Sequence, residues 1–359
     1  MLLSVWKGAC YRVAVAVTSI TSILALVNIS ATPVVASVAD SLKPNQITVR
    51  QNPPDGERNW SVATWNMQGN GAGTSNGLWS TVQNMITTGQ AEILALQEAG
   101  NDPPGSADDT PDNDLPDSLH GGINGHTIQD QNGAQWRVQI RDWTLSRQQT
   151  VRIVFLSPGQ QRNGLAVIVP STLPIRAVRI VWPHEEPPVQ LFSQNRPYGA
   201  TRERPALGVE VGPHDSGDPG NTTFWSVHAA SGGGGNAAGY VFQINCHYAT
   251  GHWMLLGDFN RNPGDLDDPR NGADSARTRW IRNSEEYHAV ICPPNAVTRP
   301  ASAHRLNQGM LDYLVRGYPG AGSDIEQTTG TVLDALGSDH RAVVYLLALL
   351  LAIAPPSSG

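Results

Sequence analysis

Eight polar or charged residues stand at the ends of apolar, strand-like runs, and this pattern constrains the chain more than any other feature. They are Asn66, Glu98, Asp258, Asn260, Asp312 and Asp339, with His228 and His340 at the same kind of position. A charged group placed right after a buried strand is costly unless it binds a metal, pairs or faces a cleft. One such residue is unremarkable, but eight in 359 make a constellation. Many strands, few helices and polar groups at strand ends indicate a two-sheet sandwich with flanking helices.

The runs lie at 60–66, 92–97, 136–143, 151–156, 165–169, 177–181, 206–211, 222–227, 253–256, 311–315 and 342–347. Each is rich in β-branched, aromatic or other apolar residues. Leu78, Val82, Met85 and Ile86 share one helical face, after a cap at Thr74 or Ser75 and before Gly89. The stretches 237–248 and 275–287 are the other predicted helices. Residues 101–125 carry Pro, Asp and Gly without an apolar period, which predicts an exposed loop. Residues 183–203 form a Pro-rich excursion. The closing run 343–354 is too short to span a bilayer and predicts a buried last strand, with its second half open to being an exposed tail.

Residues 1–39 have the layout of a secretory signal peptide: Lys7 and Arg12, an apolar stretch at 13–27, and small residues at Ser37 and Ala39. The alternative is a membrane anchor, but the apolar run falls short of the roughly 20 residues that a spanning helix needs. A polar, Pro-containing lead follows at 40–59, and one catalytic domain is expected over 60–359. Removing 1–39 takes away two cations and no acid, so the remainder is more acidic than the formal −7 of the whole chain. That balance argues against a general nucleic-acid coat protein. It leaves room for an enzyme with cations concentrated at one cleft. Lys7 and Lys43 are the only lysines, so the cations available are arginines, whose planar fork suits phosphate. Cys246 and Cys292 remain after the leader, either as one disulfide in an oxidising compartment or as two buried thiols.

Hydrolysis of a phosphate ester needs this set of side chains. Hard oxygen ligands such as Glu98 and Asp339 suit Mg²⁺, which binds a phosphoryl oxygen and stabilises the leaving oxyanion. A histidine oriented by a carboxylate, His340 with Asp312, takes a proton from water. His228 stands as a further donor to phosphate oxygens, with Asn66 and Asn260 orienting groups around them.

The blocks TWNMQG (64–69), LQEAG (96–100), VHA (227–229), GDFNR (257–261), LDY (311–313) and SDH (338–340) occur in this order. They resemble the signature blocks of the DNase I-like endonuclease/exonuclease/phosphatase superfamily. Within it, QEAG, TLSR at 144–147, Arg204-Pro205, the His-Ala pair before a glycine run and GDFNR resemble the catalytic B subunits of cytolethal distending toxins. The resemblance implies a four-layer α/β (α+β) sandwich, with two packed mixed β-sheets flanked by helices. It implies Glu98 and Asp339 at a Mg²⁺ ion, with Ca²⁺ or Mn²⁺ as alternatives. His340 corresponds to the base, Asp312 to its partner, and His228 to the second catalytic histidine. Asp258 and Asn260 correspond to residues that orient nucleophile and phosphate, and Arg162 and Arg204 resemble contacts to DNA phosphates. No carboxylate that orients His228 can be assigned.

The function implied is a secreted DNA endonuclease, a toxin's catalytic subunit that works with delivery or cell-binding subunits and acts inside a target cell, in the nucleus. No integral membrane association is expected. The same fold and metal also serve phosphoinositide phosphatases and sphingomyelinase-type enzymes, and a catalytically inert secreted binding module is a third class.

Overall fold

The computed structural model describes residues 57–69, 75–110, 115, 127–129, 135–158, 164–182, 204–213, 220–230, 237–245, 251–266, 287–300, 309–319, 327–333 and 338–350. All of them fall in one compact unit, Ile47–Gly359. The leader and most of the 40–59 lead lie outside them. The first half of the fold runs β1 (Glu57–Asn66), α1 (Ser75–Thr87), β2 (Ile93–Gln97), β3 (Asp108–Asp109), β4 (Thr127–Gln129), β5 (Gln135–Ser146), β6 (Gln149–Ser157), β7 (Leu165–Pro170) and β8 (Ile175–Val181). The second half runs β9 (Ala206–Val211), β10 (Thr222–His228), α2 (Ala237–Gln243), β11 (His252–Asp258), α3 (Pro263–Leu266), β12 (Tyr287–Cys292), β13 (Asp312–Pro319), β14 (Thr331–Val332) and β15 (Val343–Leu350).

The strands form a nine-stranded sheet, β14-β15-β1-β2-β7-β6-β5-β3 with β4 on β5, and a six-stranded sheet, β12-β13-β11-β10-β9-β8. Each contains one parallel pair, β1 with β2 and β10 with β11. Both sheets are therefore mixed. Val62, Ile93 and Val167 of the larger sheet meet Leu207, Phe224, Leu256 and Leu314 of the smaller in the central core. The larger sheet's outer face packs Trp65, Leu94 and Phe155 against α1, and the smaller sheet's packs Trp225, Leu255 and Tyr313 against α2. The result is the expected four-layer sandwich. Strands covered on both faces can read as unbroken apolar runs, as β2 does up to Gln97, whereas β10, buried at every position, interleaves Thr222, Thr223, Ser226 and His228 with its apolar residues.

On α1, Val82, Met85 and Ile86 are buried as the helical period predicted, each contributing about 1.5–3 kcal/mol. Gly89 ends the helix with φ +72°, letting the Gln90 amide return to the Met85 carbonyl at 2.9 Å. A buried polar strut joins the two sheets just under the cleft. Gln97 Nε2 donates to Ser226 Oγ at 3.0 Å, Ser226 Oγ donates to the Leu96 carbonyl at 2.8 Å, and Thr64 Oγ1 donates to Gln97 Oε1 at 3.2 Å.

Two expectations change, and one left open is narrowed. The 101–125 segment is not wholly an exposed loop: Asp108–Asp109 pairs with β5, and Thr110 and Leu115 are buried. Two apolar or hydrogen-bonded anchors in a polar stretch carry no period, so the pattern hid them. Tyr287 opens strand β12 and does not end a helix, while 275–286 lie outside the described residues. Cys292 is a free, buried thiol, held in the central core; Cys246 lies outside the described residues. Among the described residues no helix is long and apolar enough to cross a membrane.

Candidate active site

Strand direction explains why the polar groups meet. In the larger sheet β1 and β2 run parallel and end together, Asn66 opposite Gln97, so Asn66 and Glu98 leave at one edge. β15 is antiparallel to β1, with Thr64 opposite Val343, so Asp339 and His340 arrive at that same edge. The smaller sheet repeats the plan. β10 and β11 end with His228 opposite Asp258, and antiparallel β13 begins at Asp312, also opposite Asp258. Asp312, Asp339 and His340 thus stand at strand starts, not after strands as the sequence suggested. An antiparallel strand enters at the edge where its neighbour leaves, so both positions serve one cleft.

Across the joint between the sheets, Asn66 Nδ2 donates to Asp258 Oδ2 at 3.0 Å. His340 Nδ1 is 2.7 Å from Asp312 Oδ2, and its Nε2 is 3.7 Å from Asp258 Oδ2 and 3.9 Å from Asp339 Oδ1. His228 Nε2 lies 3.5 Å from Glu98 Oε1 and 3.6 Å from Asp258 Oδ2. Asn260 Nδ2 donates to the Ala229 carbonyl at 2.9 Å, beside His228.

The loops carrying these groups share one local device. Asn66 Oδ1 accepts the Gln68 amide at 3.0 Å, Asp258 Oδ1 accepts the Asn260 amide at 2.8 Å, and Ser338 Oγ accepts the His340 amide at 3.1 Å. Each is a short turn closed by a side chain two residues back. Gln68, Glu98 and Asn260 have φ near +49°, +48° and +49°, a conformation that costs non-glycine residues energy and gathers at functional sites. Gly69 is required by close approach: its amide donates to the Glu98 carbonyl at 2.8 Å, and a Cβ there would collide with that oxygen.

Burial divides the site. Asn66, His228, Asp258, Asp312 and His340 are buried, whereas the Glu98 and Asp339 side chains keep 25% and 31% exposure. Burial pushes Glu98 up, Arg204, Asn66 and His340 pull it back, and Asp339 adds repulsion. Asp258 is pushed up to about 7 by burial and by Asp312, against the pull of His340. Burial opposes charge on His340, yet Asp312, Asp258 and Asp339 outweigh it and raise it to about 10. Burial, Arg204 and His340 hold His228 well below its usual range. On these residues alone, His340 is cationic and His228 neutral at neutral pH.

Residues 63–340 match the profile described as the Endonuclease/Exonuclease/phosphatase family. The chain belongs to this family. It is 27% identical over 300 residues to the B subunit of the cytolethal distending toxin of Escherichia coli, spanning 79% of this chain and 89% of that protein. It is 26% identical over 302 residues to a homolog of the same toxin's B subunit in Salmonella typhi, spanning 80% and 89%. The fold is similar to that in the crystal structure of the Haemophilus ducreyi cytolethal distending toxin, with TM-score 0.54 and 23% identity over 80% of this chain and 97% of that one.

Of the residues singled out in this family member's sequence, nine lie at or beside the cleft. Arg204 is among them, acting electrostatically on both Glu98 and His228. Arg162 lies outside the described residues. No orienting carboxylate for His228 is found among the described residues, where its Nδ1 is buried without a hydrogen-bond partner. Sequence reasoning missed Gln68, whose Oε1 accepts the Asp339 amide at 3.1 Å; Arg299, with Nη2 3.6 Å from Asp339 Oδ2; and Thr298, whose Oγ1 accepts the Asp312 amide at 3.1 Å. Gln68 sits inside the first block and was within reach. Thr298 and Arg299 follow no strand-end pattern.

Two groupings have donor atoms suited to a metal. Asp258, Asp312 and His340 offer ligand atoms within 4.8 Å of one another, but the short His340–Asp312 contact already commits that pair to each other. Glu98 and Asp339 are the better fit. They are hard, partly exposed oxygens that repel each other, and a divalent ion held there would relieve the repulsion.

Proposed function

We propose that this chain is a secreted, metal-dependent DNA endonuclease of the toxin-subunit type, hydrolysing phosphodiester bonds with water activated at His340. One observation carries the proposal: a buried His340–Asp312 pair lies beside two partly exposed carboxylates, Glu98 and Asp339, where two sheets meet. A buried proton carrier next to an open hard-oxygen pair is what hydrolysis of a phosphate ester requires. Membership of the family supports divalent-metal dependence. The names of both relatives support a toxin subunit with partner subunits, and secretion is supported by the layout of residues 1–39.

Glu98 and Asp339 would hold the ion, with Mg²⁺ the expected one; when bound it supplies charge stabilisation to the phosphoryl oxygens and opposes protonation of His340. Asp312 holds the His340 ring through Nδ1, leaving Nε2 directed toward Asp258 and Asp339. Asn66 and Asn260 fix the Asp258 carboxylate and the loop beside His228. His228, neutral and pointing Nε2 into the cleft, donates to a phosphate oxygen. The chain as a whole is acidic, so DNA is drawn where Arg204, Arg299 and the ion make the potential locally positive, with Arg162 a further contact to DNA phosphate.

The charge pattern favours a second candidate for the base. With His340 raised to about 10 and therefore already protonated near neutrality, Asp258, at about 7, is the one of the two still free to accept a proton there. In metal, a rate profile that follows the ionisation of the histidine and is lost in His340→Ala supports His340; a profile lost only in Asp258→Asn supports Asp258.

Nicking of supercoiled plasmid in Mg²⁺ tests the whole, run beside phosphate release from phosphatidylinositol phosphates and hydrolysis of sphingomyelin. Nicking that disappears with chelator and with His340→Ala is expected. Nicking indifferent to His340→Ala overturns the site, lipid hydrolysis without nicking replaces DNA as substrate, and no turnover of any substrate returns the chain to a binding role.

A further inference from the structure

Thr298 hydrogen-bonds to the backbone at both ends of the His340–Asp312 pair, and we propose that it is the positioning residue that sets the geometry of that pair. The inference rests on reading the pair as the water-activating group. Thr298 lies in the segment between β12 and β13 and is fully buried. Its Oγ1 accepts the amides of Leu311 at 2.9 Å and Asp312 at 3.1 Å, and its hydroxyl faces the Gly309 carbonyl at 3.4 Å. Its main-chain amide donates to the Gly309 carbonyl at 3.1 Å, and its own carbonyl accepts the Arg341 amide at 2.8 Å. One residue therefore ties down Asp312 and the residue that follows His340.

The sheet shows why such a residue is needed. The ladder between β12 and β13 stops at Cys292 opposite Leu314, whereas β13 continues back to Asp312 to reach the cleft. Beyond that stop the Leu311 and Asp312 amides have no strand on the β12 side to accept them. Buried amides must be satisfied, and the Thr298 hydroxyl takes the place of the missing strand. The same segment supplies Arg299, whose guanidinium faces Asp339. The Leu311 carbonyl in turn accepts the Phe259 amide at 2.8 Å, so the tie extends to the loop carrying Asp258 and Asn260.

Replacing the hydroxyl by a methyl group leaves one buried donor, the Asp312 amide, and one half-buried donor, the Leu311 amide, without their side-chain acceptor and frees the start of β13. The Asp312 carboxylate then leaves its 2.7 Å position on His340. A displacement of about 1 Å in a catalytic group lowers turnover by on the order of 10²-fold.

The test uses the full chain in saturating Mg²⁺, with bis(p-nitrophenyl) phosphate as substrate and variants Thr298→Val, Thr298→Cys and Thr298→Ser. The expected result is a graded series. The Ser variant stays within about threefold of the parent, Cys is lower, and Val loses roughly 10- to 100-fold in kcat, with KM and half-saturating Mg²⁺ nearly unchanged. Val315→Ala, a core change on the same strand, lowers thermal stability with kcat per folded molecule unchanged. The proposal is overturned if the Val variant keeps kcat within threefold, if its loss tracks only the folded fraction as in Val315→Ala, or if Ser fails to restore turnover. Should the Val variant not fold, equal kcat for Cys and Ser is the refuting outcome. His340→Ala with full activity removes the underlying reading instead, whatever the Thr298 series gives.

Discussion

Asp312→Asn replaces a charge without changing a shape, and the cleft makes its consequence calculable. Asp312 is fully buried, its Oδ2 rests 2.7 Å from His340 Nδ1, and its Oδ1 has no partner. Against the penalty of burial, Asp312 is the leading influence that lifts His340 from 6.5 to about 10. A rise of that size is worth about 5 kcal/mol in favour of the imidazolium, shared with Asp258 and Asp339. If Asp312 supplies somewhat more than half, about 3 kcal/mol of imidazolium stabilisation is lost, and it is lost from the transition state alone where bound metal has left the resting His340 imidazole neutral and ready to take up the proton of water. Turnover then slows by roughly 10²- to 10³-fold. The amide adds a second fault, because its N–H₂ can donate to Nδ1 and favour the tautomer whose Nε2 already carries a proton. The assay is steady-state hydrolysis of bis(p-nitrophenyl) phosphate in saturating Mg²⁺, with plasmid nicking alongside. KM should hold and kcat should fall by that factor. A folded Asp312→Asn protein with kcat within threefold of the parent would falsify the pairing as the source of water activation.

Glu98→Gln and Asp339→Asn should each raise half-saturating Mg²⁺ about tenfold or more while leaving a measurable rate at high metal; a loss of maximal rate with unchanged metal dependence would move the ion elsewhere, and the readout is rate against Mg²⁺ after EDTA treatment. His252 is pushed down to about 4 by burial and by Arg316, so the unfolded chain binds its proton near pH 6.5 and the folded one does not. The fold should lose up to about 2 kcal/mol from this group, allowing for its partial exposure, as pH falls from about 6.5 to about 4. Melting temperature against pH should show that acid limb, and His252→Gln should flatten it. Gly69→Ala drives a Cβ into the Glu98 carbonyl, and should cost about 1–3 kcal/mol of stability together with Mg²⁺ affinity. Unchanged metal affinity in that variant would show that Glu98 does not depend on its turn.

The sandwich was legible because buried strands announce themselves as apolar runs, and because α1 repeats Leu78, Val82, Met85 and Ile86 on one face. The gathering of the polar groups was legible too, but not its geometry. Strand direction is invisible in an apolar run, so Asp312 and His340 looked like residues that follow strands when they precede them. The Thr298–Arg299 pair was not legible at all. Its work is done by one hydroxyl and by main-chain groups meeting the backbone of residues 309–312 and 341, and no composition or period marks a residue chosen for such contacts. The anchors at Thr110 and Leu115 were lost for a related reason: isolated buried residues in a polar loop have no neighbours with which to form a pattern.

The spacing inside the motifs has a structural cause beyond the chemistry of each residue. Asn66 closes its turn with Oδ1 and reaches across the sheets with Nδ2; Asp258 closes its turn with Oδ1 and receives that bond on Oδ2. Each side chain both builds its loop and carries the contact between the two half-sites. Ser338 repeats the scheme, accepting the His340 amide while donating to the Asn66 carbonyl at 2.7 Å. Acceptor at one position and positioned residue two later is therefore common to 66–68, 258–260 and 338–340. Such turns hold Gln68 and Asn260 at positive φ without glycine, and the strain is met by hydrogen bonds that the cleft's own polar groups provide. It follows that changing Asn66 to Ala cannot remove one function alone. It opens the 66–68 turn, releases Gln68 from the Asp339 amide, and leaves the Asp258 carboxylate buried without its cross-sheet donor. Damage should therefore appear at once in metal affinity and in turnover, whereas a side chain serving only the chemistry would lower turnover alone.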